Sequence, residues 1–181
     1  MASRTLKNNL FQRMDQHELG ICLALNRLSA IESVRHFFAV VSRLGNGVFW
    51  YVLMLLLPLI YGMAAIHTSI VMAVTGGLGV ILYKALKQNL VRQRPCIHHQ
   101  NIHQGTAMLD YYSFPSGHTL HAFSFSLVAI NAFPELAIVL LPFTLLVALS
   151  RVILGLHYPS DVLVGASLGS ILAGIAINTP V

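Results

Sequence analysis

The chain has 181 residues, 56% of them hydrophobic and only 9% charged, with a mean hydropathy of +0.72. Soluble domains carry about a quarter charged residues, so these values exclude a soluble fold and leave room for one domain, embedded in lipid. The net charge of +5 suits anionic lipid head groups, and the lack of a basic helix face argues against nucleic acid as a partner.

Taken in chain order, the polar N-terminus carries no cleavable signal-peptide pattern. Within residues 15–43, Leu19, Ile21, Leu23, Ile31, Phe37, Phe38 and Val41 alternate with Asn26, Arg27, Glu32, Arg35 and His36. That pattern predicts one or two amphipathic helices at the membrane interface, with a sixth, poorly apolar span as the alternative. Five apolar runs then follow, near 48–66, 69–86, 119–133, 134–149 and 162–177. A crossing helix needs about 20 residues, so the two shorter runs are expected to extend into their polar flanks. Pro58 and Pro142 are tolerable where neighbouring helices absorb a kink. The expected fold is an all-α, polytopic membrane helix bundle. It forms a single domain over 1–181, with interfacial helices in 1–43 and a catalytic bundle of five spans over 48–179. Gly165-x₃-Gly169 permits close helix packing in the last span, and Cys22 and Cys96, without metal-type spacing, are expected to be free thiols.

Three polar stretches interrupt this apolar chain: Lys87-x₆-Arg94-Pro95, Pro115-Ser116-Gly117-His118, and Ser150-Arg151-x₅-His157-x₃-Asp161. The chain crosses the membrane out and back between the second and third, so all three fall on one face. Lys87, Arg94 and Arg151 are costly near lipid unless paired, and guanidinium forks suit phosphate oxygens. Lys84 and Arg92 read equally well as juxtamembrane side chains reaching for water. Ser116 is a good helix N-cap, and Gly117 opens the backbone N–H groups behind it to an anion. The spacing of His157 and Asp161 lets the carboxylate take the proton of one ring nitrogen and leave the other basic. Such an imidazole is a competent nucleophile toward phosphorus, and His118 can protonate the leaving oxygen. His98, His99, His103 and Asp110, in the one long loop near 92–114, match no closed metal pattern, and no metal is expected.

The three stretches closely resemble the signature of the type 2 phosphatidic acid phosphatase superfamily, which includes bacterial acid phosphatases and vanadium haloperoxidases. The resemblance implies that His157 forms a phosphohistidine, Asp161 orients it, and His118 is the general acid. It also implies that Lys87, Arg94, Ser116, Gly117 and Arg151 hold the phosphate, that no cofactor is needed, and that the substrate is a membrane phospholipid or polyprenyl phosphate. Phosphatidic acid, phosphatidylglycerophosphate and undecaprenyl pyrophosphate are the candidates; a phosphotransferase of the same fold and a non-enzymatic phospholipid transporter are the rivals. Familiar membrane members have six spans against the five counted here. The basic N-terminus and the site would share a face, which the positive-inside rule puts in the cytoplasm. Five of the eleven cations belong to the motif region, however, and bacterial relatives usually work outside, so the site is expected at the periplasmic face of a bacterial inner membrane.

Overall fold

The computed structural model describes residues 2–108 and 110–179, with side chains from residue 11 onward. The chain is helical almost throughout: α1 Ala2–Asn26, α2 Glu32–Arg43, α3 Phe49–Tyr61, α4 Ala64–Asn89, α5 Pro95–His98, α6 Gly117–Ala132, α7 Ala137–Ile153 and α8 Pro159–Asn178. No strand forms among the described residues, where Gln93 and Tyr112 make an isolated antiparallel bridge.

Four helices among the described residues are long and apolar enough to cross a membrane: Glu32–Tyr61, Ala64–Asn89, Pro134–Ile153 and Pro159–Asn178. The first begins well before Val48, because α2 continues into α3 through a widened π-type segment, Leu44–Val48. The alternating charges of residues 32–43 disguise this. Glu32, His36 and Arg43 sit opposite a face on which Phe38, Val41 and Ser42 are buried, and α2 packs on α7. The run expected near 119–133 becomes α6, whose 16 residues reach about 24 Å at 1.5 Å per residue, short of a core of about 30 Å. This helix is wrapped by α4, α7 and α8. Its Thr119, Ser124 and Ser126 are therefore buried against protein. Ser126 and Thr144 pair their hydroxyls at 2.6 Å across α6 and α7, a contact type that supports helix association in membranes.

The main core gathers Trp50, Leu57, Met72, Phe125, Val128, Leu140, Val147 and Ala173. Leu55, Leu59, Ile81, Ile138, Leu163 and Ile171 point outward and are exposed, as lipid-facing side chains should be in a membrane bundle. At the other end of the sequence, α1 is docked against α7 and α8. Asn26, buried at its end, donates to the Ile153 and His103 carbonyls and accepts from the His103 N–H, at 2.8 to 2.9 Å. The N-terminal helix is thereby fastened to the end of α7 and to the loop that carries His103.

Candidate active site

The polar end of the bundle is built from helix termini. Lys87 lies in the last turn of α4, where a cation meets the negative end of the helix dipole. The stretch that follows is held in place by its backbone. Ser113 N–H donates to the Arg92 carbonyl at 2.9 Å, Cys96 N–H to Gly155 at 3.1 Å, and Gly105 N–H to Leu154 at 3.0 Å. Ser116 caps α6, its hydroxyl 2.9 Å from that of Thr119. After α7, Gly155 turns the chain at φ 72°, a conformation glycine adopts without steric cost. A Cβ there would lie 2.7 Å from the His103 carbonyl oxygen. That turn delivers His157, and Pro159 then opens α8 at a position where its missing N–H costs nothing.

A cavity of about 860 Å³ is lined by Lys87, Arg94, Gly117, His118, Arg151 and His157. Six of the eight residues singled out from the sequence therefore meet in one space. Ser116 and Asp161 stand behind its wall, both fully buried. His157 Nε2 lies 3.1 Å from Arg94 Nη1. Arginine only donates, so Nε2 must accept, and the ring proton belongs on Nδ1. That nitrogen lies 3.6 Å from Asp161 Oδ2, just beyond hydrogen-bond length, and has no hydrogen-bond partner among the described residues. Burial, and after it Arg94, Arg151 and Lys87, push the His157 imidazole well below the ordinary histidine value. The ring is therefore neutral at physiological pH with a lone pair directed at the cations. Arg151 donates to the Ser42 hydroxyl, while its Nε has no hydrogen-bond partner among the described residues.

Two residues outside those eight also belong to this polar cluster. Asp110 sits in the cradle itself, its carboxylate 2.7 and 2.8 Å from Lys87 Nζ, and its Oδ1 also 2.7 Å from Arg94 Nη2. Burial alone would raise the Asp110 pKa, but Lys87 and Arg94 outweigh it and hold the carboxyl below its usual value. Arg92, for which the sequence left a membrane-edge cation and a site residue equally open, has a fully buried side chain that bonds Asp161, Asp15 and Ser160. The available signal was the pair Asp15 and Glu18, two acids three apart on an otherwise apolar helix face, which call for a buried cation. His121 lies 2.8 Å from the Gly117 carbonyl and 3.1 Å from that of Gly76, linking α6 to α4. Among the described residues no three His, Cys, Asp or Glu side chains gather as a metal site. The rings of His98 and His99 lie against each other at 4.4 Å between centroids, tilted by 43°.

Comparison with known proteins matches residues 67–180 to the family model of the PAP2 superfamily. The decaprenylphosphoryl-5-phosphoribose phosphatases of two Mycobacterium tuberculosis strains, CDC 1551 / Oshkosh and H37Rv, are each 38% identical over 91 residues. That stretch is 50% of this chain and 49% of the relative, so the chain spans about half the length of the curated relatives it matches. Among solved structures, Aquifex aeolicus LpxE superposes with a TM-score of 0.78 at 24% identity, over 90% of this chain and 95% of that one. A transmembrane PAP2-type phosphatidylglycerolphosphate phosphatase from Bacillus subtilis gives 0.70 at 23% identity, over 98% and 95%. These superpositions extend the shared helical fold to the N-terminal helices, which the family match does not reach.

Proposed function

The chain belongs to the PAP2 superfamily, and from that premise we propose that it is an integral membrane phosphatase acting on a lipid phosphate monoester or pyrophosphate. Phosphoryl transfer asks a protein for fixed positive charge around the moving group, an in-line nucleophile and a proton for the leaving oxygen. His157 Nε2 attacks phosphorus and forms the N–P bond as the P–O bond to the lipid breaks. His118 gives its proton to the departing oxygen. Water then attacks the phosphohistidine, losing a proton to His118, and inorganic phosphate leaves with Nε2 restored. Asp161 stabilises the charge that develops on the His157 ring. Lys87, Arg94 and Arg151 take the phosphate oxygens, and Gly117 offers an open helix N-terminus beside them. The substrate phosphate must displace Asp110 from Lys87 and Arg94.

The observation that carries the lipid reading is the continuity of the cavity. Past Tyr83 and Lys84 its lining becomes Gly77, Ala73, Met54 and Trp50, on α4 and α3. One space thus joins a cationic end to an apolar one, as a phosphorylated head group on a hydrocarbon tail requires. The substrate class is phosphatidic acid, phosphatidylglycerophosphate or undecaprenyl pyrophosphate, with the phosphoribosyl polyprenyl lipid named for the mycobacterial relatives as a fourth candidate. The site opens to the periplasmic face of a bacterial inner membrane.

A phosphate-release panel over these lipids and lipid A tests the reading, with substrate supplied to right-side-out and inverted vesicles. One lipid should release phosphate without an acceptor, and from the right-side-out vesicles only. His157→Ala should lower turnover by roughly a thousandfold or more. A strict requirement for an acceptor would make the protein a phosphotransferase, and lipid flux surviving His157→Ala would make it a transporter.

A further inference from the structure

We propose that Arg92 is a positioning residue for the reaction, fixing the carboxylate that orients His157 and tying it to the N-terminal helix α1. The proposal rests on the phosphohistidine reading above. Arg92 Nη1 donates to Asp161 Oδ1 at 2.7 Å, and Oδ2 accepts the Tyr158 N–H at 2.9 Å. Those two bonds fix the carboxylate plane, leaving Oδ2 as the oxygen that faces His157 Nδ1. A carboxylate as fully buried as Asp161 is costly unless a fixed cation and hydrogen bonds compensate it. Without Arg92 it would take a proton or turn away, and in either case His157 would lose the partner for the charge it develops.

Arg92 is itself held from its other side by α1. Asp15 Oδ1 accepts from Nε at 2.9 Å and from Nη2 at 2.7 Å, and Glu18 lies 3.4 Å from Nη2. Glu18 also accepts from the Ser160 hydroxyl at 3.0 Å, beside Asp161. The guanidinium lies over the Tyr158 ring at 4.0 Å, with Phe11 at 5.3 Å. Every nitrogen of the fork is engaged, and aromatic faces flank the plane. A lysine could supply the charge at this point but not the forked contact. The acids that anchor the fork stand at positions 15 and 18, outside the stretch 67–180 that matches the family model. The chain thus recruits a segment of its own to brace a carboxylate of the motif.

The test uses the full-length chain in detergent and the panel lipid that the wild type hydrolyses fastest. Arg92→Met should lower kcat by roughly 10- to 100-fold, the cost typical of groups that orient a functional imidazole, with little change in KM. Rapid-quench labelling should slow phosphoenzyme formation in parallel. Arg92→Lys should recover part of the loss, and Asp15→Asn should lower kcat severalfold at constant KM. A folded Arg92→Met protein with wild-type kcat, or one whose loss falls on KM, overturns the proposal. Should Arg92→Met fail to fold, an unchanged kcat in Asp15→Asn overturns it equally. A wild-type chain that releases no phosphate from any lipid would instead refute the phosphatase reading, and this proposal with it.

Discussion

Asp110 reaches Lys87 and Arg94 through its side chain, and its backbone carbonyl accepts from Arg94 Nε at 2.9 Å. The cations expected to await an anion therefore already hold one that belongs to the chain. Protonation does not release it, because its pKa is depressed. The clamp is fully present above the unfolded carboxylate value of about 3.9 and is lost only as pH falls below that range. On the proposed phosphatase reading, a phosphate bound by Lys87 and Arg94 competes with a charged carboxylate throughout the neutral range. Asp110→Asn removes the charge at nearly constant shape. Inhibition by inorganic phosphate or vanadate should tighten by about tenfold, since hydrogen bonds to charged groups contribute about 1.5–3 kcal/mol. An unchanged inhibition constant would mean that the carboxylate does not compete. The sequence revealed the motif residues because their spacing is local: His157 and Asp161 are four positions apart across the start of α8. It concealed the roles of Asp110 and Arg92 because their partners lie 16 to 77 residues away, where no periodicity reports them.

Helix packing decides whether those side chains meet at all. The stretch Gly165-x₃-Gly169 faces α6 within the molecule, as its spacing suggested. A Cβ on Gly165 would lie 2.5 Å from the Ser116 carbonyl oxygen, and one on Gly169 would overlap the Leu120 carbonyl. Both contacts are to backbone, which cannot rotate aside, so α6 itself would have to move. Gly169→Ala should destabilise the protein by about 1–3 kcal/mol, the usual cost of overpacking, read as a lower midpoint of thermal unfolding in detergent. Gly174→Ala is the control. Its Cβ would meet nothing within 4 Å, and alanine gains about 1 kcal/mol of helix propensity over glycine. Equal midpoints for the two variants would show that α8 does not depend on this contact. Gly165→Ala should cost activity as well, because it presses on Ser116, which caps α6 two residues before His118. Apolar runs announced the helices of the bundle, while their ends were less legible. α7 continues through Ser150 and Arg151 to Ile153, since those polar side chains are buried in the site rather than released to water.

For the whole molecule, hydropathy identified a membrane protein but could not say that one cavity joins its cations to apolar side chains. That continuity follows from packing. α3 and α4 present Trp50, Met54, Ala73 and Gly77 to the same cavity that ends at the cations, an arrangement of residues up to about 100 positions apart that no local pattern encodes. Gly77 is exposed, and a Cβ there would meet nothing within 4 Å, so a larger side chain can be accommodated without disturbing the fold. Gly77→Leu would put four carbons into the apolar part of the cavity and leave the phosphate cradle untouched. If the tail of the substrate lies there, KM for the lipid should rise by roughly tenfold, equivalent to about 1.4 kcal/mol. Hydrolysis of p-nitrophenyl phosphate, which has no tail, should keep its KM. Loss of both activities together would point to a disturbed bundle, and an unchanged lipid KM would mean the tail leaves the cradle by another path. Separation of the two substrates is the outcome that a cavity shared by head group and tail requires.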